Sequence, residues 1–168
     1  MAEALLPVFE ATDVQVLWKF RKASVYNDDF LKPVQKYVDS GRLRLEDWLK
    51  IDPVSMLRAG YITLSVHHGG ANCYSEALLA GVPQVVLPHW ADCYHFATMA
   101  EYVGVGVWPG KKSAPVWDSV TLKDGLLKAL TGEASLEMRK KATAVSKIAR
   151  QYGGRDAAAK RIAEMALS

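Results

Sequence analysis

The stretch His67-His68-Gly69-Gly70-Ala71-Asn72-Cys73-Tyr74-Ser75-Glu76 constrains this chain more than any other. Ahead of it, Tyr61-Ile62-Thr63-Leu64-Ser65-Val66 reads as a buried strand rich in β-branched residues. Behind it, Ser75 to Ala80 reads as a helix that stops at Gly81, before Pro83. A strand, a tight Gly-Gly turn and a helix N-terminus make a corner suited to an anion. The glycines let a ligand approach the backbone, while the unpaired N–H groups and the helix dipole favour phosphate.

Short apolar segments alternate with helical ones along the rest of the chain. Residues 2–11 read as a short helix and Asp13 to Phe20 as a strand apolar enough to lie inside a sheet. Asp28 and Asp29 are expected to cap a helix through Phe30, Val34, Tyr37 and Val38, ending at Gly41. Leu43 and Leu45 alternate with charged residues in a short strand, and Asp52-Pro53 opens a helical turn. Pro83 to Pro88 reads as a buried strand, Asp92 to Tyr102 as a helix, and Gly104 to Trp108 as a strand. Ser119 or Thr121 caps the next helix, and residues 134–168 are helical with a break at Gly153-Gly154. This alternation predicts an α/β fold, a Rossmann-like open parallel sheet flanked by helices, with a helical C-terminus. Ligands in such sheets bind at the carboxyl ends of the strands. The loops His67-His68, Trp90 to Asp92 and Pro109-Gly110 are expected to converge there.

Composition narrows the class. The 168 residues suit a single domain over 1–168, and a formal charge of +3 is too small to argue for nucleic acid. Two cysteines, Cys73 and Cys93, make no disulfide framework, so a reducing, cytoplasmic setting is expected. Met1 to Phe9 does not read as a signal peptide, and no apolar run reaches the roughly 20 residues of a membrane span.

Several separated positions then make a pattern: His68, Gly70, Asn72 and Glu76, followed by Gly81-Val82-Pro83-Gln84 and a loop at Asp92. Trp48 to about Gly106 resembles the C-terminal, donor-binding half of a GT-B glycosyltransferase of the UDP-glycosyltransferase superfamily. The resemblance implies that His68, Gly69, Gly70, Asn72 and Cys73 hold the diphosphate of a UDP-sugar. It implies that Glu76 accepts hydrogen bonds from the ribose hydroxyls. It places Asp92 and Cys93 at the transferred sugar and Trp48 near the uracil. It implies transfer to a hydroxyl of a small lipophilic acceptor such as a sterol or phenol, with no metal and no cofactor beyond the donor. The catalytic general base, the acceptor domain and the first strand of the donor domain are expected outside this sequence. The chain alone is therefore expected to be inactive, with open sheet edges covered by a partner chain or by homo-oligomerisation. Cys73 and Cys93 depart from the family pattern, where a hydroxyl and a Gln are usual, and a thiol is a poor donor.

Other readings of the same residues are weaker. His67 points away from His68 along an alternating strand and reads as structural. His67, His68, Cys73, His89, Cys93 and His95 lack zinc-finger spacing. Gly106 and Gly110 are one residue too close for a P-loop. Arg139, Lys140, Lys141, Lys147, Arg150, Arg155, Lys160 and Arg161 read as the solvated face of amphipathic helices. The functional alternatives are a non-catalytic nucleotide-sugar-binding subunit, a truncated remnant, and half of a nucleotide-sugar epimerase.

Overall fold

A computed structural model of the protein describes residues 1–21 and 27–167. Helix α1 (Ala2–Ala11) leads into strand β1 (Val16–Lys19). A 3-10 turn (Asp28–Val34) runs into α2 (Gln35–Asp39), then β2 (Leu43–Glu46) and α3 (Pro53–Arg58). Strand β3 (Ser65–His67), α4 (Ala71–Ala80), β4 (Gln84–Val86), α5 (Ala91–Val103) and β5 (Gly106–Val107) follow in strict alternation. Helices α6 (Ser119–Leu130), α7 (Gly132–Gln151) and α8 (Gly154–Ala166) close the chain.

Every strand pair is parallel, as the alternation predicts, and the strands form two sheets with open edges, as expected without the first donor-domain strand. β1 pairs with β2, and β4 lies between β3 and β5. The inner edges of β1 and β3 carry no strand partner among the described residues. Val16 and Phe20 donate to the carbonyls of Arg42 and Glu46, so the backbone groups of Leu17 and Lys19 point to the other edge. Likewise Ser65 donates to Pro83 and the His67 carbonyl accepts from Leu87, so Val66 and His68 point away from β4.

The strands are shorter than the apolar runs that announce them. Tyr61 to Leu64 lie outside β3, with Tyr61 exposed, because β4 offers only three residues to pair with. Two caps also differ from expectation. Asn27 caps the 3-10 turn by accepting from the Asp29 N–H, and the interior Pro33 keeps the first turns from becoming a regular α-helix. The Asp28 side chain lies outside the described residues, as does Ser168. Asp118, one position before Ser119, caps α6 by accepting from the Val120 and Thr121 N–H groups, both at 2.8 Å. Those bonds hold its carboxyl below the usual range.

Strand alternation explains the two cores. β4 is buried on both faces and sends Val85 into one cluster and Val86 into the other. The larger cluster joins Leu5, Val8 and Phe9 of α1 to Leu43 of β2 and to Leu122 and Leu126 of α6. The smaller packs Tyr74 of α4 and Ala97 and Ala100 of α5 with Ala142 of α7. Arg42 closes the end of α1 by donating from one guanidinium nitrogen to the Phe9, Thr12 and Val14 carbonyls. On the far side, Ser146 and Arg150 of α7 both donate to the Leu79 carbonyl in the last turn of α4. Arg150 thus has a structural partner, whereas α8 is exposed throughout. Among the described residues, no helix is long and apolar enough to cross a membrane.

Candidate functional site

A cleft of about 710 Å3 opens between the two sheets at the carboxyl ends of β1, β3 and β4. Trp18, Lys19 and Phe20 form one wall, and Val66, His67 and His68 face them. Leu87, His89 and Trp117 are also in the lining. The loop after β5 enters only through Trp117. Pro109 does not line the cleft; it lies against the glycine face of Gly125 in α6.

The corner itself is built by contacts that only glycine allows. Gly69 adopts φ +89°, and a Cβ there would stand 2.8 Å from Val86 Cγ1 and 2.9 Å from the Cys93 carbonyl oxygen. A Cβ on Gly70 would stand 2.5 Å from His68 Nε2, because the imidazole folds over that backbone. Gly70 is the N-cap of α4 and supplies no side chain to its N–H groups. The first turn at Ala71, Asn72 and Cys73 is thus left with donors open to an anion.

Behind the corner, His67 fixes its shape. Its Nδ1 accepts from the Gly69 N–H at 3.0 Å, and its Nε2 lies 2.8 Å from Gln84 Oε1. With Nδ1 accepting, Nε2 carries the proton and donates to Gln84, so the ring is held neutral. The fully buried Gln84 then donates from Nε2 to the Tyr74 carbonyl at 3.4 Å. Burial is the main cause that lowers the His67 pKa; the Gln84 bond opposes it, and His68 adds a small lowering. A histidine with a lowered folded pKa binds its proton more readily in the unfolded chain. Its contribution to stability is complete above the ordinary value of about 6.5 and is lost as pH falls through the folded pKa. Thermal melts from neutral to mildly acidic pH are expected to show Tm falling below about pH 6.5. The same series on His67→Gln is expected to show a shallower fall.

The residues singled out in the sequence take distinct positions. His68 is exposed, with its ring centroid 6.1 Å from that of Trp90. Asn72 is exposed and Glu76 half-buried on α4. Cys73 is half-buried, and burial, then Glu76, push its thiol pKa up, so it stays a neutral thiol. Asp92 is exposed in the first turn of α5, whose N-terminus has no side-chain cap. Its predecessor Ala91 holds φ +37°, a strained value for a residue with a side chain. Cys93 is only 1 % exposed and backs onto Gly69, so it packs in the core in place of the expected sugar contact. Trp48 is 69 % exposed, and the Lys19 ammonium sits 3.9 Å from its ring centroid. Sequence reasoning missed Lys19 and the bracing role of Gln84. Lys19 looked like one polar position in an apolar strand, although it ends that strand where sites form. Among the described residues, no group of three or more His, Cys, Asp or Glu could hold a metal ion.

This layered parallel architecture is shared with solved glycosyltransferase structures. Os79 from O. sativa, in complex with U2F and trichothecene, superposes with a TM-score of 0.78 at 23% identity, over 99% of this chain and 36% of that one. The fold is that of the C-terminal domain of a GT-B UDP-glycosyltransferase. Residues 40–150 match the family described as erythromycin biosynthesis protein CIII-like, C-terminal domain, and the chain belongs to that family. Glycosyltransferase sdnJ of Sordaria araneosa is 45% identical over 104 residues, covering 60% of this chain and 20% of that protein. Erythritol-mannosyl-transferase 1 of Mycosarcoma maydis is 31% identical over 125 residues, covering 74% and 20%. The chain therefore spans about a fifth of the length of these curated relatives.

Proposed function

We propose that this chain is the part of a glycosyltransferase that binds a UDP-sugar donor, with the diphosphate on the α4 corner. The observation that carries the reading is the open first turn of α4 beside the imidazole of His68, a residue that lines the cleft. The Ala71, Asn72 and Cys73 N–H groups and His68 would receive the diphosphate. As the sugar leaves, negative charge grows on the UDP oxygens, and these fixed donors stabilise it without a metal ion. Glu76, one helical turn further along α4, is assigned to the ribose hydroxyls, Trp48 to the uracil and Asp92 to sugar hydroxyls. Family membership and the UDP bound in fold neighbours support the donor class.

The acceptor is proposed to be a hydroxyl of a small lipophilic molecule such as a sterol or phenol. The base that activates it would come from a part of the protein outside these residues. The chain alone would thus hold the donor and transfer no sugar. Calorimetric titration of UDP and 2′-deoxy-UDP tests the assignment of Glu76. Wild type is expected to prefer UDP, and Glu76→Ala to lose about tenfold in UDP affinity and most of that preference. An unchanged preference in Glu76→Ala would remove Glu76 from the site.

A further inference from the structure

We propose that Lys19 is a donor-binding cation, which leaves the face of Trp48 to pair with the diphosphate of a nucleotide seated on the α4 corner. The inference rests on the donor-site reading above and adds to it a residue from the opposite wall. Lys19 is the last residue of β1 and lines the same cleft as His68. Among the described residues, no other lysine or arginine lines that cleft. Its ammonium has no carboxylate within ion-pair distance among the described residues, whereas Lys32, Lys111 and Lys123 each hold one at 2.9 Å. In place of a carboxylate it has the indole of Trp48, 3.9 Å from the ring centroid.

A ring face is a weaker partner for an ammonium than a phosphate oxygen bearing a formal charge. Binding of a diphosphate would therefore draw Lys19 away and free the Trp48 face it covers. The flexible four-carbon stem permits this movement without any change in the backbone. The reach of the charge is already visible at the corner. Lys19 acts on Cys73, in the first turn of α4, in the sense that favours the thiolate, although burial and Glu76 outweigh it. Two walls of one cleft, separated in sequence by nearly fifty residues (His68 less Lys19), would then close on one anion.

The test is titration of UDP and uridine into the 168-residue chain, for wild type, Lys19→Met and Lys19→Arg, at low and high salt. Lys19→Met keeps the length of the side chain and removes its charge. It is expected to weaken UDP about tenfold at low salt, to leave uridine unchanged and to flatten the salt dependence. Lys19→Arg is expected to retain most of the UDP affinity. UDP binding equal to wild type in Lys19→Met would overturn the role of Lys19 while leaving the donor site intact. Equal losses for UDP and uridine would also overturn it, by placing Lys19 at the base. Wild type that binds no UDP would overturn the donor-site reading itself, and Lys19 with it.

Discussion

Gly69→Ala is expected to destabilise the protein by on the order of 3 kcal/mol, lowering Tm by about 10 °C. Two independent effects add at this position. The backbone stands at φ +89°, where a side chain is strained, and the added methyl would meet Val86 Cγ1 at 2.8 Å and the Cys93 carbonyl at 2.9 Å. Neither neighbour can yield. Val86 is fully buried in the smaller core, and the Cys93 carbonyl belongs to the first turn of α5. The His67 bond from the Gly69 N–H would be pulled out of line at the same time. A melt monitored by circular dichroism checks the size of the loss; a Tm within a degree or two of wild type would show that the corner is looser than this packing.

Gly70→Ala is expected to behave in the opposite way, sparing the fold and damaging the site. Here the methyl would meet the Nε2 end of the His68 ring, an exposed and rotatable group. The ring can swing aside, so Tm should change little. The swing takes the imidazole away from the α4 N-terminus, and one charge-assisted contact to a diphosphate is worth about 1.5–3 kcal/mol. UDP affinity is therefore expected to fall about tenfold or more, and His68→Ala to show a similar loss. If Gly70→Ala bound UDP as tightly as wild type, His68 would not be a diphosphate ligand. The pair of glycine variants separates a residue that builds the corner from one that gives a ligand room.

The sequence made the corner legible because its meaning is local. A β-branched run, two glycines and a helix start within ten residues announce an anion site without knowledge of the rest of the fold. Helices α1, α4, α5 and α7 were legible for the same reason, since apolar spacing, and for α4 and α5 a terminating glycine, are properties of single segments. What escaped the sequence depends on neighbours distant along the chain. The expected strand over Tyr61 to Val66 shrank to Ser65–His67, because pairing length is set by β4 and not by the run itself. The division into two sheets, with open edges at β1 and β3, agrees with the two unpaired sheet edges expected from the family resemblance. Cys93 was expected at the sugar from its place after Asp92, yet helix α5 turns that side chain inward behind Gly69. Gln84 and Lys19 were hidden for a related reason. Gln84 matters through His67 and Tyr74, and Lys19 through Trp48 and the opposite wall of the cleft. Family resemblance carried the donor reading further than spacing alone, because it tied Glu76 and Asp92 to the same corner.

The most direct test of the account is an amide-resolved NMR titration of the chain with UDP. The backbone N–H groups of Gly69 to Cys73 and the indole of Trp48 are expected to shift together, saturating at one stoichiometric site. The amides of α8, which is exposed along its length, should stay still. Saturating shifts confined to other elements, or none at all, would contradict the claim that the α4 corner holds a nucleotide diphosphate.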